Sequence, residues 1–143
     1  MLSRNIFFYE KLNLEDNFET RIYLMFTHFS IMLKVSKNKG IKFDQTSYDL
    51  LFHNIENNLR ELGFGDVSVN KKMKEYVNMF YAILDKIEVT DMSIDENIAN
   101  FFRKIFNLDK NIKFYANYYK KYNEYLSNNT LNNFTKDIIN HNF

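Results

Sequence analysis

The chain has 143 residues, a formal net charge of +1, 45% hydrophobic and 17% aromatic residues, three glycines, and neither proline nor cysteine. A domain of this size buries roughly two-thirds of its unfolded surface, and the lack of proline with so little glycine favours long helices, which argues against an all-β fold. The absence of cysteine excludes disulfides, thiolate nucleophiles, zinc–cysteine sites and iron–sulfur clusters and fits a reducing compartment, while the near-zero charge excludes a global pull toward nucleic acid or anionic lipid.

In chain order, Ile6 to Leu12 forms a short amphipathic segment. The N-terminal stretch MLSRNIFFYEKLNLED lacks the apolar core and small-residue cleavage site of a secretory signal, and no run of about 18 apolar residues occurs anywhere. The most hydrophobic stretch, Ile22 to Val35, is broken by Thr27, His28, Ser30 and Lys34, so a soluble protein that can sit beside a membrane is expected. Asp16 or Asn17 can cap a first long helix that runs to about Lys37 with Ile22, Met25, Phe26, Phe29, Met32 and Leu33 on its apolar face. Gly40 ends the following connection. Asp44 can then cap a helix whose apolar residues Tyr48, Leu51, Phe52, Ile55, Leu59 and Leu62 recur at the strongest helical spacing in the chain.

Gly63 falls where a left-handed residue ends that helix, and Phe64 after it can make the accompanying hydrophobic contact. Ser68 can cap the next helix, which buries Met73, Tyr76, Val77, Phe80, Leu84 and Ile87. Ser93 and Glu96 form an S-x-x-E capping box ahead of a short helix with Ile94, Ile98, Phe101, Phe102 and Ile105. Lys110 to Leu126 carries Ile112, Tyr115, Tyr118, Tyr119, Tyr122 and Leu126, a broad face extended by Phe114 and Tyr125. These tyrosines can either line the core margin or form an exposed sticky surface, since tyrosine has an apolar body and a polar tip. A tail helix from Thr130 can use Leu131, Phe134, Ile138 and Ile139. With no linker, repeat or low-complexity break, the expectation is one all-α domain over residues 1–143, a bundle of about six to seven helices without a sheet.

Catalytic patterns are missing. A helical carboxylate metal centre needs two Glu-x-x-His pairs plus further glutamates, whereas His53 and Glu56 form one pair with no second, and His28 inside an apolar helix reads as a hydrogen-bonded histidine at the core edge. The sequence GFGDVSVNKK follows a helix and lacks the Gly-Lys-Ser/Thr ending of a phosphate loop. No nucleophile elbow, zinc-protease helix or calcium loop is found. No metal or cofactor is expected, and the protein reads as a non-enzyme.

The segment Asn58 to Lys74 concentrates the remaining signals, with Gly63 and Gly65 beside a cluster of lysines. Lys71, Lys72 and Lys74 fall in the first turn and a half of a helix, where the macrodipole disfavours positive charge. That placement hints at an acidic or phosphate-bearing partner; pairing with Glu61, Asp66 or Glu75 on a solvated face is the plainer explanation. Folding accounts for Leu59, Leu62, Gly63, Phe64 and Val69 as the packed ends of two helices. It does not require Asn58, Arg60, Glu61, Asp66, Lys71, Lys72 and Lys74, which with Tyr81 are the candidate partner-binding residues.

The run Phe52 to Tyr81, FHNIENNLRELGFGDVSVNKKMKEYVNMFY, resembles the signature region of the ubiquinol–cytochrome c chaperone family, assembly factors of respiratory complex III. The resemblance is carried by Asn58-Leu59-Arg60-Glu61, the turn with Gly63, Gly65 and Asp66, Val69, the three lysines and Phe80-Tyr81. Upstream, Phe26, His28 and Leu33 look like the family's first long helix; the similar core spans about 7–126 and leaves the tail, about 127–143, outside. Asn70 stands where the family usually has glycine, and Ala82-Ile83 where it has a glycine–arginine pair, so a contact made by that arginine in relatives is in doubt here.

The resemblance implies an all-helical, non-enzymatic chaperone for newly made cytochrome b, a nascent or partly assembled membrane protein. For mitochondrial relatives it also implies a small partner protein and the translating ribosome. Starting close to the domain with no presequence, the chain looks like a bacterial member, placed in the cytoplasm or peripherally at the inner face of the inner membrane. The alternative expectation is a ribosome- or RNA-associated helical module that uses Lys71, Lys72 and Lys74 and loses binding steeply with salt.

Overall fold

The computed structural model describes residues 17–43, 45–107 and 112–128. Asn17 begins the first helix: its extended backbone leaves the helical path and its side-chain oxygen accepts a 2.8 Å hydrogen bond from the Thr20 N–H, so α1 runs Phe18–Asn38. Four more helices follow, α2 (Gln45–Glu61), α3 (Asp66–Val89), α4 (Asp95–Phe106) and α5 (Ile112–Asn128). The described residues contain no strand, and the fold is all-α as composition implied. Against the expected six or seven helices, five lie among the described residues; the segments Ile6–Leu12 and Thr130 onward, and Asp44, lie outside them.

α1 packs against both α3 and α5, α2 leans on α3, and α4 pairs mainly with α5. One side of α1 meets an aromatic cluster centred on Phe80, whose ring centroid lies 5.3 Å from Phe26, 5.5 Å from Phe52 and 5.9 Å from Phe29. These distances suit edge-on and tilted aromatic contacts. The other side carries Leu24, His28, Ile31 and Val35, spaced at i, i+4, i+7 and i+11, and there His28 meets the rings of Tyr118, Tyr119 and Tyr122 at 5.7, 5.1 and 5.0 Å. The apolar face expected for α1 is therefore half of the story. Leu24 and Ile31 are fully buried alongside Ile22 and Phe26, because α1 is sandwiched.

The tyrosine question is settled by the same sandwich: Tyr115, Tyr118, Tyr119 and Tyr122 are all buried, and Phe102 of α4 stacks on Tyr115 at 5.1 Å. Phe114 departs from the expected face and is 59% exposed.

Two of the polar residues buried with α1 bond back to their own helix, while the Ser30 hydroxyl is buried without a hydrogen-bond partner. Thr27 Oγ1 donates to the Tyr23 carbonyl at 2.8 Å and Ser36 Oγ to the Met32 carbonyl at 2.7 Å. Lys34 reaches out of α1 and donates to the Ile87 carbonyl at 2.9 Å, which also receives the Thr90 N–H, and to the Thr90 carbonyl just past the end of α3. Lys39 does the same for the Leu126 carbonyl of α5 at 2.7 Å.

Two expected caps are corrected. α3 begins at Asp66 with Gly65 as its cap residue, so Ser68 lies inside the first turn. Nor does the Ser93–Glu96 capping box form: Ile94 occupies the cap position of α4 without a side-chain bond, and Ser93 bonds Asp91 through both its N–H (2.9 Å) and its hydroxyl (2.6 Å). The Asx turn at Asp91 competes for the same serine and wins.

His28 is fully buried rather than at the core edge. Its Nδ1 sits 2.7 Å from the Leu24 carbonyl, a group that can only accept, so Nδ1 carries the proton and Nε2 accepts from the Tyr118 hydroxyl at 3.0 Å. Burial drives its pKa down from 6.5 to about 4, with the Leu24 bond opposing. The neutral form is thus favoured in the folded state. Stability from His28 should be present above pH 6.5 and drain away as pH falls toward about 4. Urea unfolding at pH 7.5 and pH 5 should show a loss of roughly 2 kcal/mol from this residue. His28→Gln should flatten that part of the pH profile.

Candidate functional site

The α2–α3 connection is a corner built by its glycines. Gly63 has φ +94°, its N–H reaches the Arg60 carbonyl at 3.0 Å and the Phe64 N–H reaches the Leu59 carbonyl at 3.3 Å. This is the paired 6→1 and 5→2 arrangement that closes a helix through a left-handed residue. Gly65 then adopts an extended conformation, φ −75° and ψ 168°, and lets α3 start at once.

Arg60 holds the corner from outside. Its guanidinium donates to Glu56 at 3.0 Å, one turn back on α2, and to Asp66, the first residue of α3. The two carboxylates, Asp66 foremost, hold Arg60 still more firmly charged. All three groups are well exposed, so the clasp orients the corner and adds little to stability.

The other candidates fall into two sets. Lys71, Lys74 and Tyr81 recur at i, i+3 and i+10 along the solvent face of α3, opposite the line of Val69, Tyr76, Phe80, Ile83 and Ile87 that is buried. Among the described residues neither Lys71 nor Lys74 has an ion-pair partner; the pairing with Glu61, Asp66 or Glu75 considered from sequence does not occur. Lys72 lies over the Phe64 ring, 5.1 Å from its centroid, within cation–π range. Tyr81 is 54% exposed.

Asn58 and Glu61 face the other way. They line a groove of about 770 Å³ between α1 and α2, floored by Phe18, Ile22, Met25 and Leu51. Arg60 and Asp66 are thus brought together, the three lysines and Tyr81 share one helix, and Asn58 with Glu61 opens onto a separate groove.

The structure also adds residues that were assigned to packing. Leu62 is 59% exposed, Phe64 38% and Val67 86%. Leu62 continues the apolar period of α2, yet α2 stops at Glu61, and beyond the last helical residue the period no longer fixes a direction. The signal in the sequence was the glycine itself, which ends the register. Ile83 is fully buried, so this chain uses that position for packing. Among the described residues no group of three or more His, Asp or Glu side chains could hold a metal ion, and no helix is long and apolar enough to cross a membrane.

Compared with known proteins, residues 10–108 match the family model described as Ubiquinol-cytochrome C chaperone. That span takes in α1 to α4 and the whole corner. Comparison with curated proteins and with solved structures gives no match.

The two corner glycines carry opposite expectations. No atom lies within 4 Å of a Cβ built at either, so backbone conformation alone decides. Gly63→Ala should cost roughly 1–2 kcal/mol in urea unfolding for its left-handed conformation. Gly65→Ser should be neutral or stabilise by a few tenths of a kcal/mol, since a serine there can cap α3.

Proposed function

The chain belongs to the ubiquinol–cytochrome c chaperone family, and from that membership we propose that it is a non-enzymatic assembly factor for newly made cytochrome b. The observation that carries the reading is the family match over residues 10–108, which includes the corner and both helices that flank it. The surface proposed to meet the client comprises Asn58, Arg60, Glu61, Asp66, Lys71, Lys72, Lys74 and Tyr81. None of them fills the core, and the Arg60 clasp fixes the angle at which the rest are displayed.

The α5 tyrosines, which would have been the rival sticky surface, are used up in packing against α1 and α4. Reactive chemistry is not asked of any group here: the one strongly shifted histidine, His28, is sealed in the core and neutral. The protein acts by holding a partner. In this reading it works at the inner face of the membrane that receives the client, as a peripheral protein.

Deleting the gene in its host and recording reduced-minus-oxidised spectra should show a clear fall in cytochrome b. Restoring the parent chain should recover it, while a chain carrying Arg60→Ala with Lys71→Glu should recover it poorly despite folding normally. Cytochrome b content that does not change on deletion sinks the proposal.

A further inference from the structure

The tip of the α2–α3 hairpin presents three apolar side chains to solvent: Leu62 at the mouth of the α1–α2 groove, Phe64 in the turn and Val67 in the first turn of α3. Scattered exposed apolar residues are ordinary; three within six positions at the apex of a helical hairpin form a patch. Behind the apex stand lysines. Lys71 and Lys74 lie on the same exposed face as Val67, at i+4 and i+7, and Lys72 folds over Phe64.

Rising about 1.5 Å per residue, α3 places Lys71 about 6 Å and Lys74 about 10 Å behind Val67 along the axis. Side chains that dip into a bilayer interface reach about 5–10 Å, and lysines one to two turns back would then sit at headgroup level. The carboxylates nearby cancel them only in part. Over residues 66–75 three lysines stand against Asp66 and Glu75, and among the described residues none of the three lysines forms an ion pair; Asp66 pairs instead with Arg60, and Glu61 lines the groove against α1. The positive excess that remains is complementary to an anionic surface met tip first.

We propose that this hairpin tip is a peripheral docking site for a bilayer bearing anionic headgroups, with Leu62, Phe64 and Val67 entering the interface and Lys71, Lys72 and Lys74 contacting lipid phosphates. The inference rests on the client reading only in so far as a membrane-protein client is met at such a surface. The exposed tip is a structural fact independent of the client.

Co-sedimentation with mixed phosphatidylcholine–phosphatidylglycerol vesicles tests it. The parent chain should bind, and should bind pure phosphatidylcholine vesicles much less. Lys71→Glu with Lys74→Glu should weaken binding on the order of tenfold or more, and so should Leu62→Ser with Val67→Ser, with helical circular dichroism unchanged. Val89→Ser supplies the control. Val89 is as exposed as Val67, 86%, but sits at the far end of α3, and its loss should leave binding intact.

Equal binding to both vesicle types, equal loss with Val89→Ser, or binding to RNA with none to vesicles overturns the proposal. The assay contains no client, so failures can be told apart. Vesicle binding with unchanged cytochrome b in the deletion host refutes the client reading alone. A fall in cytochrome b without vesicle binding refutes this inference alone.

Discussion

Burial of α1 on two opposite sides is the constraint on which the rest of the structure depends. A helix packed on one side can carry a polar stripe to solvent, whereas a sandwiched helix must find partners for its polar groups within the protein or leave them unpaired at a cost, as it does Ser30 Oγ. Thr27 and Ser36 bond back to their own helix, and His28 spends both ring nitrogens, one on Leu24 and one on Tyr118. The same position lets the ends of α1 act on its neighbours. Lys34 and Lys39, near its C-terminal end, reach the last carbonyls of α3 and α5, so one helix both fills the core and closes two others.

From that core the corner follows. α2 is held through Phe52 and Tyr48 against Phe80, which also receives Phe26 and Phe29 of α1. With both ends of the hairpin anchored in one aromatic cluster, the connection between them is short and has no covering element. A short connection needs an abrupt stop and an immediate restart, and Gly63 and Gly65 supply one each. Arg60 then bridges across the stop to Asp66. What remains exposed is left over from folding: an apolar apex, and lysines placed where the start of α3 gains nothing from them.

Much of this was legible in the sequence, for reasons that can be named. Period and breakers are local properties, so α2 and α3 and the left-handed Gly63 could be read directly, and the first cap could be narrowed to Asp16 or Asn17, of which Asn17 takes it. Sandwiching is a tertiary property: nothing local tells that Leu24 and Ile31 are buried beside Ile22 and Phe26, or that the α5 tyrosines face inward. The serine caps failed for two different reasons: α3 starts at Asp66, ahead of Ser68, and Asp91 took Ser93. Leu62 and Phe64 were misread as packed because a period was carried past the residue that ends it. The polar members of the candidate site were legible as a set but not in their division between the α3 face and the α1–α2 groove, which depends on how the helices lean.

The family match ends at residue 108, ahead of α5, while the core does not. Tyr118 bonds His28, and Tyr122 bonds the His28 carbonyl at 3.2 Å, so a residue inside the matched span relies on residues beyond it. A chain cut at the end of the match would expose Leu24, Ile31 and a histidine with one nitrogen unsatisfied. The aromatic richness of α5 is therefore a packing requirement of α1 rather than a mark of partner binding. That shifts the weight of any functional account onto surfaces the core does not consume. Within the matched span those are the outer face of α3, the groove beside α2, and the tip that joins them.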